Sequence, residues 1–233
     1  MNINVKTKQS YFTITQLCCV FVVIALGATN YAIFKLTGMN WKLFDVGHEQ
    51  SVPTYFSALN LLLSAVLLWV IYRYETLNRH KWRKYWLHLS ALFFFLSMDE
   101  AISIHEKLGK IPNILTRMGI SVFEIERHKW LPFGIALVVI VTVYLIPFLR
   151  VLPRDTLFLF LASGLVFLTG AIGFEYLGSF MEKNDIVDSR TDTLYLIRLL
   201  FEEGFEMCGV VLFNCVLYRE IVKRKISLSI SML

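Results

Sequence analysis

Two short stretches gather the residues that could do chemistry. One reads Ser97-Met-Asp99-Glu100-Ala-Ile-Ser103-Ile-His105-Glu106, the other Arg198-Leu-Leu-Phe-Glu202-Glu203-Gly-Phe-Glu206. In a helix, Glu202 and Glu206 form an i, i+4 pair and Glu203 and Glu206 an i, i+3 pair. All three then share one face, with Arg198 one turn above Glu202. Asp99 and Glu106 are seven residues apart and fall on nearly the same face with Ser103 between them, flanked by Glu100 and His105. Glu175, His128 and the pair His48-Glu49 are the other candidates.

The chemistry follows from charge. Asp99, Glu100, Glu175, Glu202, Glu203 and Glu206 outnumber Arg198 and any protonated histidine nearby. Six ionised carboxylates facing one another would be heavily penalised, so either some hold protons or a cation sits among them. A divalent metal ion answers the imbalance, with Asp99, His105, Glu106, Glu202, Glu203 and Glu206 as its ligands. Asp99, Glu100, Glu203 and Glu206 are then the acids and bases of the reaction. So oxygen-rich a set suits Mg²⁺, Mn²⁺, Ca²⁺ or non-haem iron, and mixed His and carboxylate ligands also suit Zn²⁺. Such a centre polarises a carbonyl or phosphoryl oxygen, activates water, or supports redox chemistry at iron, which leaves hydrolase and oxidoreductase both open.

Neither stretch is a signature with a fixed mechanism. The Glu-x-x-His pairs of di-iron bundles and the His-Glu-x-x-His of zincins are absent. A structural reading stands beside the chemical one. Arg198–Glu202 is then an ordinary helix pair, Glu106 lies among headgroups, Glu175 snorkels outward, and His48 and His128 are interfacial residues.

The elements that must position these residues are membrane helices. Of 233 residues, 56% are hydrophobic and 18% charged, with a mean hydropathy of +0.59. A soluble domain carries about a quarter charged residues. A span needs about 20 mostly apolar residues, and six stretches qualify: 14–34, 54–72, 85–104, 130–149, 155–178 and 194–218. The expected fold is therefore all-α, a transmembrane bundle of about six spans forming one integral membrane domain over residues 1–233. The third and sixth spans carry charges that weaken their hydropathy. Residues 107–126 read as a helix lying along the outer surface, and Gly170 and Gly173 as points of close helix approach.

Lysine and arginine set the orientation. Arg73, Arg79, Lys81, Arg83 and Lys84 fill the loop after the second span, and Arg219, Lys223, Arg224 and Lys225 follow the sixth. With Lys6 and Lys8 these fall on one side, which places both termini in the cytoplasm. The loop at 105–129, with several basic residues of its own, is discordant. The net charge of +5 is thus explained by topology, and no nucleic-acid motif is present. The expected location is a plasma or bacterial inner membrane, with membrane lipid as the expected partner. The first span reads as a retained anchor rather than a cleaved signal. Cys18, Cys19, Cys208 and Cys215 lie in apolar stretches and read as packing residues.

This topology supplies the link to function. Asp99 lies ~21 Å along the third span from the inner side, and the acids of the sixth lie ~12–18 Å from its outer entry. Helices running in opposite directions thus place their acids in one outer layer, where ionisable groups face a bundle interior or an aqueous cavity. The inner half shows nothing comparable. The leading expectation is a metal-dependent membrane enzyme acting on a lipid or amphipathic substrate. The alternatives are a proton- or cation-coupled transporter and a non-catalytic accessory subunit.

Overall fold

The computed structural model describes residues 5–48, 50–104, 131–187 and 191–226. Glu49, His105, Glu106, His128 and the proposed surface helix at 107–126 lie outside the described residues. The described chain is all-helical, in six rods. Helix α1 (Val5–Thr37) ends at Gly38, whose φ of 73° lets its N–H turn back to the Phe34 carbonyl at 2.8 Å. A left-handed residue just past a helix end is glycine's usual task. After a 3₁₀ turn (Lys42–Phe44) comes α2 (Val52–Leu77), capped by Ser51, whose side chain accepts the Thr54 N–H. Pro53 occupies its first turn, where a missing N–H costs little.

Helix α3 (Arg83–Ile102) and α4 (Leu131–Leu149) follow, then α5 (Arg154–Leu168), a π turn (Thr169–Phe174) and α6 (Glu175–Lys183) as one continuous rod. Helix α7 (Thr193–Lys223) completes the described bundle. Four rods are long and apolar enough to cross a membrane: Gln9–Thr37, Val52–Leu77, Leu131–Leu149 and Arg154–Lys183. The two that fail on composition are α3 and α7, the two that carry the acid stretches. Helix α4 is apolar on its exposed surface as well. Only 11% of it is buried, and Ile135, Val139, Ile140 and Val143 point outward. In water so large an apolar surface would drive association.

The bundle is organised on α7, against which α1, α2, α5 and the π turn all pack, while α3 runs along α2. The Ser90 and Ser97 hydroxyls donate to the Ala65 and Ala58 carbonyls, both at 2.8 Å, and fix the α2–α3 register. Midway along, Ser64 donates to Asn214 Oδ1 at 2.7 Å and Asn214 Nδ2 donates to the Asn60 carbonyl at 3.1 Å. Ser64 and Asn214 are fully buried, and each bond satisfies a polar group that lipid could not. Beyond them Leu68, Ile71 and Leu217 close the interior with no exposed surface, and Trp86, Phe148, Phe160 and Phe213 pack edge-on around them.

A buried network of ion pairs lies at the basic end of the bundle. Arg224 pairs with Glu220 and, at 3.0 Å, with Glu75. Thr156 donates to Glu220 at 2.8 Å, Asp155 binds Arg219 and Lys223, and His80 touches Glu75. Glu75 and Glu220 are 6% and 3% exposed. These carboxylates are matched by cations, so the network clamps α2, α5 and α7 together.

Candidate carboxylate chamber

The chamber lies at the opposite end, between the last turn of α3, the π turn with α6, and the third and fourth turns of α7. Glu203 interacts electrostatically with Glu100, Glu202 and Glu175, and Glu206 with the same three and with Glu203. Glu202 is hydrogen-bonded to Glu175 and paired with Arg198. Three elements therefore bring five carboxylates into one layer: Glu100 from α3, Glu175 from α6, and Glu202, Glu203 and Glu206 from α7. Glu175 and Glu202 are buried, whereas Glu100, Glu203 and Glu206 keep partial exposure.

Glycines let the walls approach this closely. A Cβ on Gly170 would stand 2.7 Å from the Glu202 carbonyl oxygen and 2.8 Å from the Glu206 nitrogen, so the π turn rests directly on α7. Gly173, read in the sequence as a second such point, meets only Thr169 of its own helix, at 3.8 Å. The π turn itself has no simple sequence mark. It widens the helix by one residue and swings Glu175 inward. The alternative of Glu175 snorkelling outward is thereby excluded.

Arg198 is the cation of the chamber. Its Nη1 donates to the Phe174 carbonyl at 2.9 Å and to Glu202, its guanidinium lies over the Tyr195 ring, and its Nε finds no acceptor among the described residues. It neutralises about one of the five charges. Two carboxylates about 5 Å apart repel by about 3 kcal/mol at an effective dielectric of about 20. Among the described residues, the guanidinium of Arg198 offsets that repulsion at Glu202.

Helix α3 supplies two adjacent acids, Asp99 and Glu100, to this end of the bundle. Helix α3 buries Trp86, Leu89, Ser90 and Ser97, and Glu100 continues that face. Asp99 is turned about 100° from Glu100. The helix ends at Ile102, and Ser103 adopts φ 52° with its N–H on the Asp99 carbonyl at 2.6 Å. His48 sits outside the acid layer: its Nδ1 accepts the Gln50 N–H and its carbonyl accepts the Thr54 hydroxyl, which shapes the entry to α2. Among the described residues, no three His, Cys, Asp or Glu side chains stand in metal-ligating geometry.

Sequence reasoning missed the cap over the chamber. Tyr31 of α1, 6% exposed, donates to Asp45 Oδ1 at 3.1 Å and interacts electrostatically with Glu203. Asp45 also accepts from Asn40 at 2.7 Å and from the Gly47 N–H at 3.0 Å, and Asn40 in turn accepts from Asn30 at 2.8 Å. The α1–α2 connection is thus folded down by one carboxylate, and Val46 packs with Tyr31 and Leu196. A buried tyrosine beside a loop aspartate was the available signal.

An apolar furrow of about 660 Å³ runs along α7, lined by Leu17, Phe21 and Ile24 of α1 and by Phe201, Gly204 and Cys208. Glu202 and Glu206 lie on the other flank of α7 from these residues. The furrow faces the surroundings of the bundle and the chamber faces its interior.

Residues 14–221 match the model of a protein family described as Domain of unknown function (DUF8692). The chain belongs to this family. No curated protein matches it, and no solved structure does. The functional reading therefore rests on the chamber.

Proposed function

We propose that the chain is an integral membrane protein of six spans, with both termini cytoplasmic and the carboxylate chamber in the outer half of the bilayer. There it binds a divalent cation and serves as the centre of a membrane enzyme acting on a lipid or other amphipathic substrate. The observation that carries this reading is the gathering of Glu100, Glu175, Glu202, Glu203 and Glu206 from three elements into one layer, with Arg198 paired to Glu202. A cation entering it relieves the repulsion, and the same field polarises a carbonyl or phosphoryl oxygen or activates water. A substrate reaching that depth must bring an apolar part into the bilayer with its polar head.

The test is metal content and melting temperature of protein in mild detergent, with and without chelator. Bound metal and a chelator-sensitive melt are expected, because a ligand that binds only the folded state stabilises it. Glu206→Gln should lose both, and Glu182→Gln should keep both. A metal-free wild type whose melt ignores both chelator and added cations overturns the metal reading. Reporters fused after Leu77 and Asp185 should report inside and outside; the reverse result breaks the topology.

A second reading, proton handling during transport, is favoured by one contact. The carboxyl groups of Glu175 and Glu202 stand in hydrogen-bonding contact, and a proton shared between two such groups is the unit a relay needs. From the chamber, Ser97, Asn60, Ser64 and Asn214 continue inward as buried polar groups as far as Leu68 and Leu217. Proton uptake on acidifying the outside of loaded vesicles distinguishes this reading from the enzyme.

A further inference from the structure

At the basic end, the ion-paired network described above uses Arg219, Lys223 and Arg224 against Asp155, Glu75 and Glu220. That leaves the α2–α3 turn and the α4–α5 turn with basic residues and no carboxylate to match them. Arg79, Lys81, Arg83, Lys84, Arg150 and Arg154 are all exposed, and among the described residues none of them forms an ion pair. The two turns are neighbours: Tyr85 stacks on Phe148 with ring centres 5.3 Å apart and meets Tyr144 at 5.1 Å.

The patch also has the aromatic setting of a headgroup layer. Lys81 Nζ lies 5.3 Å from the Trp82 ring centre and Lys84 Nζ 5.3 Å from that of Tyr85. One turn inside, Arg73 folds over Trp69, which is itself 47% exposed. Aromatic rings and basic side chains at helix ends mark the interface between hydrocarbon and water. Leu87 and Val151, both exposed, border the patch with apolar surface. A partner that satisfies the cations and covers the adjoining apolar surface together carries a negative head on an acyl body.

We propose that the α2–α3 and α4–α5 turns form a seat for the headgroup of an anionic phospholipid, held by Arg79, Lys81, Arg83, Lys84, Arg150 and Arg154. This seat is separate from the carboxylate chamber and rests only on the protein's being in a membrane. Each basic residue near an anionic surface contributes about 1 kcal/mol, which is about five-fold in retention of the lipid.

The experiment uses the full chain in nanodiscs, after resistance to alkaline carbonate has confirmed insertion. Retention of a fluorescent phosphatidylglycerol and melting temperature are compared between phosphatidylcholine discs and discs that also contain phosphatidylglycerol. The anionic lipid should be retained preferentially and should raise the melting temperature, with the effect falling as salt increases. A quadruple variant, Arg79→Gln, Lys81→Gln, Arg83→Gln and Lys84→Gln, should melt like wild type in pure phosphatidylcholine and lose the preference by at least a hundred-fold. Equal retention of the two lipids by wild type overturns the proposal, as does a quadruple variant that keeps the preference. Inorganic phosphate that reproduces the stabilisation in neutral discs overturns the assignment to lipid. Failure of carbonate resistance instead defeats the membrane reading.

Discussion

The guanidinium of Arg198 occupies the volume that a side chain at Gly178 would fill: a Cβ there would stand 2.7 Å from Nη1 and 2.8 Å from Cζ. Arg198 thus lies against the α6 backbone while holding Glu202 and the Phe174 carbonyl. The contact locks α6 to α7 at the rim of the chamber.

Gly178→Ala should therefore act through Arg198. The added methyl displaces a buried guanidinium from its partners, with a cost of about 1–3 kcal/mol for the overpacking alone. Gly173→Ala, with ordinary clearance, should melt like wild type. Chemical denaturation of both variants in detergent reads the difference; equal stability would show that Arg198 moves aside freely.

Removing one member of the Arg198–Glu202 pair should cost more than removing both. Arg198→Gln leaves Glu202 buried beside Glu175 without its cation, a change of about 3–5 kcal/mol. The double variant Arg198→Gln, Glu202→Gln should recover a large part of that loss. A double-mutant cycle of melting free energies measures the coupling, and additive effects would mean the pair contributes nothing specific.

Gly170→Ala meets peptide atoms of α7, not the end of a mobile side chain. The π turn must then lift from Glu202 and Glu206, so destabilisation of about 3 kcal/mol and loss of chamber function are expected together. Gly164→Ala, with open space around its Cβ, serves as the control and should be neutral or slightly stabilising, as Ala generally is over Gly in a helix. Cation-dependent stabilisation, measured on both variants, reports the chamber separately from the fold.

At the basic end, acid should loosen the clamp on α7. Burial alone would raise the Glu220 carboxyl, but hydrogen bonds from Thr156 and Arg224, with the charges of Arg224 and Lys223, hold it below its ordinary value of 4.5. A depressed carboxylate contributes stability that is present above the unfolded value and lost as pH falls through the folded one. Melting temperature should therefore drop as pH falls below about 4.5. Glu220→Gln should start lower at neutral pH and show a shallower acid dependence; a parallel pH profile would remove Glu220 from the clamp.

The sequence by itself determined the all-helical class, the six rods found among the described residues and the helices that carry the acids, because runs of about 20 apolar residues leave a chain few alternatives to helices. It also placed Arg198 over Glu202, since an i, i+4 pair is decided within one helix. Tertiary structure alone decided the rest. The rotation of α3 against α2, set by Ser90, Ser97 and Trp86, brings Glu100 to the acids of α7. Glu175 enters the chamber because a π turn and Gly170 bring α6 onto α7, and neither widening nor backbone contact is written in local propensity. Tyr31 reaches Asp45 because the α1–α2 connection folds back, and Glu75 meets Arg224 across 149 positions of sequence because α2 and α7 end at the same level. Spacing within a helix follows from its 3.6-residue period, whereas the relation between helices follows from side-chain volumes that only the packed bundle brings together.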